Sequence, residues 1–168
     1  MEELKMLNWK IIGWALGLSL AVSFDLAAKE SGLPAPTAEK GLRTMVVYKA
    51  PNCGCCDKWA EHMEAHGFSV ENVLDRDMTS RKLALGVPSE LWSCHTAVVD
   101  GYLIEGHVPA ADVLRLLEER PEGTGLAVPG MPVGSPGMEY GGQRHAYDVL
   151  LFDSAGEAKR FEHYPARP

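Results

Sequence analysis

The chain has 168 residues, 46% hydrophobic and 23% charged, and its 16 basic against 23 acidic side chains leave a formal net charge of −7. That length builds one domain with a real core and little room for a second. The ordinary composition excludes wholesale disorder and a multi-span membrane protein, and the acidic excess offers no footprint for a nucleic-acid partner.

Residues 11–24 form an uncharged apolar run with Lys5 and Lys10 before it and Asp25 after it. As a helix it reaches roughly 21 Å, short of the ~30 Å hydrocarbon core. The segment 1–28 therefore reads as an export signal ending near Ala27-Ala28, with an uncleaved membrane anchor as the alternative. Residues 29–42 carry Gly32, Pro34, Pro36 and Gly41 and read as a linker.

A domain is expected over 43–121. Residues 44–48 are β-rich and read as a buried strand. After Pro51-Asn52 come Cys53, Gly54, Cys55 and Cys56, and from Asp57 the spacing turns helical: Trp59, Ala60 and Met63 share a face, and Gly67 closes the helix. A second strand is predicted over 68–74, a short helix over 79–85 stopped by Gly86 and Pro88, and a loop over 89–96. Residues 97–99 and 102–104, joined by Asp100-Gly101, read as a hairpin. Pro109 opens a helix with Val113, Leu116 and Leu117 as its apolar stripe, and Pro121 ends it. Eleven of the 28 glycines and prolines fall in 121–142, and residues 125–139 read as a loop with neither helix nor strand. A hairpin over 147–152 and 160–161 is expected to extend or cover the sheet, so that 122–168 packs on the same domain.

The order β-α-β-α-β-β-α, with cysteines between the first strand and first helix, is thioredoxin-like. A right-handed crossover makes the first two strands parallel and puts the cysteines at the carboxyl end of the sheet. Cys53 and Cys56 have redox CxxC spacing, and the helix N-terminus favours thiolate. Cys94 precedes His95-Thr96 at the start of the third strand, where such folds carry a proline packed against the CxxC. His95 holds that place, and the fold brings Cys94 to the other three thiols.

Four converging thiols leave several chemistries open. Two disulfides, Cys53–Cys56 with Cys55–Cys94, suit an oxidising compartment. A tetrahedral zinc site is the alternative metal reading, but adjacent Cys55 and Cys56 chelate one ion poorly. Copper(I) is soft, accepts few ligands and is readily bridged by thiolates, so a polynuclear copper–thiolate cluster on Cys53, Cys55, Cys56 and Cys94 is the sharpest expectation. Met131 and Met138, between glycines and prolines, are candidate thioether caps. His95 and His107 are candidate ligands or, more simply, hydrogen-bonding neighbours. His62, His66, His145 and His163 read as surface residues. A different class of function, thiol–disulfide oxidoreductase, would use Cys53 as nucleophile and Cys56 as resolving thiol. A third, a structural module held by disulfides, would use no thiol at all.

The runs 48–56 (Tyr48 to Cys56), 93–102 (Ser93-Cys94-His95-Thr96 onward), 104–110 (with Gly106-His107-Val108-Pro109) and the loop 128–141 resemble, in that order, the CopG-type copper-resistance family, exported proteins long catalogued as a domain of unknown function. The resemblance covers roughly 43–152. It implies a thioredoxin-like domain in the periplasm of Gram-negative bacteria that binds copper through Cys53, Cys55, Cys56 and Cys94. Copper ions, and other copper-handling proteins of that compartment, are the implied partners, with membrane contact only through an uncleaved N-terminal segment.

Overall fold

The computed structural model describes residues 42–168. The export segment expected at 1–28, and all of the expected linker but Leu42, lie outside the described residues. Among the described residues no helix is long and apolar enough to cross a membrane.

Strand β1 (Arg43–Lys49) alternates, burying Met45 and Val47. Helix α1 (Gly54–Ala65) carries the chain over to β2 (Phe68–Leu74), which pairs with β1 in parallel, as a right-handed crossover requires. Helix α2 (Met78–Leu85) starts where the Asp77 carboxylate accepts the Ser80 N–H at 3.0 Å and ends at Gly86, whose φ of +77° only glycine adopts freely. A 3₁₀ turn (Ser89–Leu91) sits within the expected loop, and β3 (His95–Val99) begins two residues earlier than predicted. Strand β3 runs antiparallel to β1 and to β4 (Tyr102–Glu105). The turn between them places both Asp100 (φ +48°) and Gly101 (φ +86°) in the left-handed region, the two-residue geometry that Asp-Gly favours.

Helix α3 (Ala110–Glu119) leads into β5 (Gly125–Ala127), parallel to β4. This corrects the loop expected over 125–139, whose first three residues are strand. Gly125 allows the pairing because a Cβ there would drive into the Leu103 carbonyl. Strands β6 (Tyr147–Phe152) and β7 (Ala158–Tyr164) form the C-terminal hairpin, which extends the sheet to seven strands in the order β2-β1-β3-β4-β5-β6-β7.

The strand alternation feeds two apolar clusters. Met45, Val47, Ile104 and Leu126 pack with Trp59 and Met63 of α1 and Val113 and Leu116 of α3. Leu103, Ala127 and Phe152 pack with Val87 and Leu91, the segment that follows α2. The result is a thioredoxin-like α/β arrangement in which α1 and the start of β3 meet at one end of the sheet.

Candidate metal centre

The first turn of α1 sets the positions of three sulfurs. Cys53 caps the helix, its carbonyl accepting the Asp57 N–H at 3.2 Å, and Cys55 and Cys56 follow inside the first turn. Cys53 and Cys56 are joined as a disulfide, while Cys55 and Cys94 are free thiols. The Cys55 sulfur lies 3.5 Å from Cys53 Sγ and 3.8 Å from Cys94 Sγ, and all four sulfurs lie within 4.8 Å of one another.

Two imidazoles complete the surroundings. Cys94 Sγ is 3.0 Å from His107 Nε2 and 3.3 Å from His95 Nδ1, forming a second group of donors that shares Cys94 with the first. His107 Nδ1 is 2.8 Å from the Pro136 carbonyl, which can only accept, so Nδ1 carries the proton and the Nε2 lone pair faces the sulfur. His95 is fully buried, its ring 4.3 Å from that of Trp59, and its Nε2 has no hydrogen-bond partner among the described residues. Burial, with His107 and Lys82 adding repulsion, holds the His95 pKa well below the ordinary imidazole value, and burial also lowers that of His107. Both rings are therefore neutral at pH 7. The Cys94 thiol is pushed up to about 12, by burial first and by the neighbouring Cys55 second. A soft cation supplies the positive charge that would reverse this effect and draw the proton off.

The Gly/Pro-rich loop lies over the cluster. Gly137 (φ +85°) sits so close to α1 that a Cβ would come 2.6 Å from the Cys55 carbonyl oxygen and 2.9 Å from the Trp59 nitrogen. Its N–H donates to Glu139 Oε1 at 2.9 Å. Met138 is half-buried and lines, with Cys55, Lys58 and Tyr140, a cavity of about 440 Å³. Met131 stays on the surface, 53% exposed. A second cavity, of about 480 Å³, opens beside Cys53 between Ala50, Asn52 and Arg76.

Of the other histidines, His66, His145 and His163 are exposed as expected, but His62 is not simply a surface residue. Its Nε2 accepts the Ala110 N–H at 3.1 Å, capping the start of α3. Two buried lysines also escaped sequence reasoning. Lys49 pairs with Asp57 in the first turn of α1 at 2.8 Å, and Lys82 pairs with the fully buried Glu105 at 2.5 Å, directly behind the Cys94 segment. A lysine ending a buried strand and a glutamate on the inner hairpin strand were the available signals, but neither identifies its partner.

The donor set of cysteine sulfurs, neutral imidazoles and a nearby thioether is chemically soft and suited to a soft metal such as copper. The family model described as a protein of unknown function, DUF411, matches residues 91–138. Two solved structures, described as copper resistance protein CopG in its form 1 and form 2, are each 49% identical to this chain and cover 74% of it. The matches take in 98% and 99% of those chains, with TM-scores of 0.70 and 0.71. No curated protein matches the chain.

Proposed function

The chain belongs to the CopG copper-resistance family, and from that membership we propose that it is a periplasmic copper(I)-binding protein holding several ions on the sulfurs of Cys53, Cys55, Cys56 and Cys94. The observation that carries this reading is the approach of all four sulfurs to within 4.8 Å of one another at a helix N-terminus. Adjacent Cys55 and Cys56 cannot both bind one ion well, but each serves a neighbouring ion when thiolates bridge. Zinc, which prefers one closed tetrahedron, fits this adjacency less well. Sequestration of this kind lowers free copper and so confers resistance, and other copper-handling proteins of the same compartment are the expected donors and acceptors.

The Cys53–Cys56 disulfide adds a redox element. Two external thiols reduce it, giving two protein thiols and one external disulfide, and two blocked sulfurs then become available as thiolate ligands. The same bond, with Cys53 beside an open cavity, is what favours the second reading, a thiol–disulfide oxidoreductase. Two measurements separate the readings, a copper titration and a disulfide-reduction assay. Copper(I) is titrated anaerobically into the reduced protein and into Cys94→Ser, against a chromophoric chelator. Tight uptake of more than one ion, reduced in Cys94→Ser, is expected. Uptake of one weakly held ion, or uptake indifferent to Cys94, refutes the cluster. Disulfide reduction at a catalytic rate that copper inhibits would favour the oxidoreductase.

A further inference from the structure

Cys94 stands apart from the other three cysteines, in the segment that leads into β3, and its sulfur is useful only if that segment is held against α1. The Glu105 carboxylate brackets it. Oε1 accepts the Ser93 N–H at 2.6 Å, immediately before Cys94, and Oε2 accepts the Thr96 hydroxyl at 2.6 Å, two residues after it. Glu105 lies directly across from Thr96 in the β3–β4 register, so the reach is set by the sheet itself. Lys82 of α2 neutralises the carboxylate, donating to Oε1 at 2.5 Å and to the Thr96 hydroxyl at 2.9 Å. Glu105 is 0% and Lys82 3% exposed.

A buried ion pair is a weak source of stability, because apolar side chains of similar volume often do as well. What an apolar pair cannot supply is an acceptor for the Ser93 N–H. We infer that Glu105, with its charge balanced by Lys82, is the positioning residue that fixes Cys94 at the sulfur cluster. The assignment deepens the proposed copper function, because a displaced Cys94 removes one ligand from the set. It also acts without copper, since the Cys94 sulfur, 3.8 Å from that of Cys55, must be held in that neighbourhood for the two thiols to close into a bond.

The test compares two double variants that both remove the charges. Lys82→Met with Glu105→Gln keeps an amide oxygen for the Ser93 N–H and an amide N–H for the Thr96 hydroxyl, whereas Lys82→Met with Glu105→Leu keeps neither. Two quantities are read: copper(I) affinity by chelator competition, and the rate at which diamide joins Cys55 to Cys94 in copper-free protein whose Cys53–Cys56 bond is closed, followed by the mass loss of two hydrogens. The Gln pair is expected within about threefold of the unaltered protein, and the Leu pair about tenfold or more below it in both, the scale of an outer-shell hydrogen bond. The Leu pair, which leaves the Ser93 N–H and the buried Thr96 hydroxyl without Glu105, is expected to melt lower. Both quantities are therefore read well below the lower melting temperature, where both variants are folded and a loss of overall stability alone would leave the joining rates equal. Equal joining rates in the two double variants would overturn the assignment. If the unaltered protein takes up no copper, the proposed function fails and the joining rate alone decides the role of Glu105. Should the Leu pair not fold, Thr96→Val, which removes one arm of the bracket, replaces it: a slowing of about threefold supports the role, and an unchanged rate refutes it.

Discussion

Replacing Gly137 by alanine tests whether the Gly/Pro-rich loop is seated on the metal centre or only lies near it. Two costs separate cleanly in this chain. At Gly130 (φ +69°) an added Cβ meets nothing within 4 Å, so Gly130→Ala bears only the left-handed backbone cost, about 1 kcal/mol. At Gly137 (φ +85°) the same backbone cost applies, but the Cβ also comes 2.6 Å from the Cys55 carbonyl oxygen and 2.9 Å from the Trp59 nitrogen. Those atoms are backbone in the first two turns of α1, whose Cys56, Trp59, Ala60 and Met63 are buried and hold the helix in place, so the loop must retreat by about half an ångström. Overpacking of this kind adds about 1–3 kcal/mol. The retreat also strains the 2.8 Å bond from His107 Nδ1 to the neighbouring Pro136 carbonyl. Gly137→Ala should therefore lie about 2 kcal/mol below Gly130→Ala, which at about 2 kcal/mol per molar urea is a midpoint lower by roughly 1 M. Urea unfolding of the reduced, copper-free proteins, followed by tryptophan fluorescence, measures both midpoints, and copper release should be faster from Gly137→Ala. Coincident midpoints for the two variants would refute the seating of the loop on α1.

Protein with the Cys53–Cys56 disulfide closed should take up no more than half the copper(I) held by the reduced protein, since two of four sulfurs are blocked; metal analysis after desalting gives the ratio, and equal loading would count against a four-sulfur centre. Trp59→Phe removes the indole N–H that donates to the Val108 carbonyl at 2.8 Å and leaves part of a fully buried volume empty, so chemical unfolding should register a loss of about 2–4 kcal/mol. Asp112 offers a pH signature away from the metal centre. Burial raises its pKa above the ordinary carboxylate value despite hydrogen bonds from the Tyr164 hydroxyl and Arg115, with Glu162 adding repulsion. The folded state therefore keeps this proton to higher pH than the unfolded chain, and the contribution of Asp112 to stability declines as pH rises from about 4 through the raised value. Asp112→Asn cancels that decline, so its stability relative to the unaltered protein should improve over the same rise, and a difference independent of pH would contradict the assignment.

The residues that could be read in sequence are those whose partners are near or whose backbone demands are local. Asp100-Gly101 announced its hairpin because few other dipeptides place two successive residues at positive φ. The helix after Cys53 was visible in the spacing of Trp59, Ala60 and Met63, and that helix carries three of the four sulfurs in a single turn. Cys94 then followed from topology, since β3 pairs with β1 and must begin beside the end of β1 where α1 starts. Strand β5 escaped because three residues are too few for a period and because Gly125, read as a loop residue, is there for close approach to Leu103.

The polar contacts around the centre were illegible for a deeper reason. Lys82 lies on a short helix whose other residues are largely exposed, and a lysine there reads as solvated until its partner is known. The partner lies 23 residues away and is chosen by the β3–β4 register, which sets Glu105 across from Thr96 and turns its carboxylate back toward Ser93. Hydrophobic periodicity specifies which face of a strand is buried, but it does not specify which buried charge meets which. His62 and Ala110, 48 residues apart, make the same point with a neutral ring. The cysteines that supply the chemistry could thus be recognised from spacing, whereas the groups that hold the fourth of them in place depend on the completed sheet, and the two neutral double variants at Lys82 and Glu105 probe that dependence by changing an acceptor while preserving the local sequence pattern.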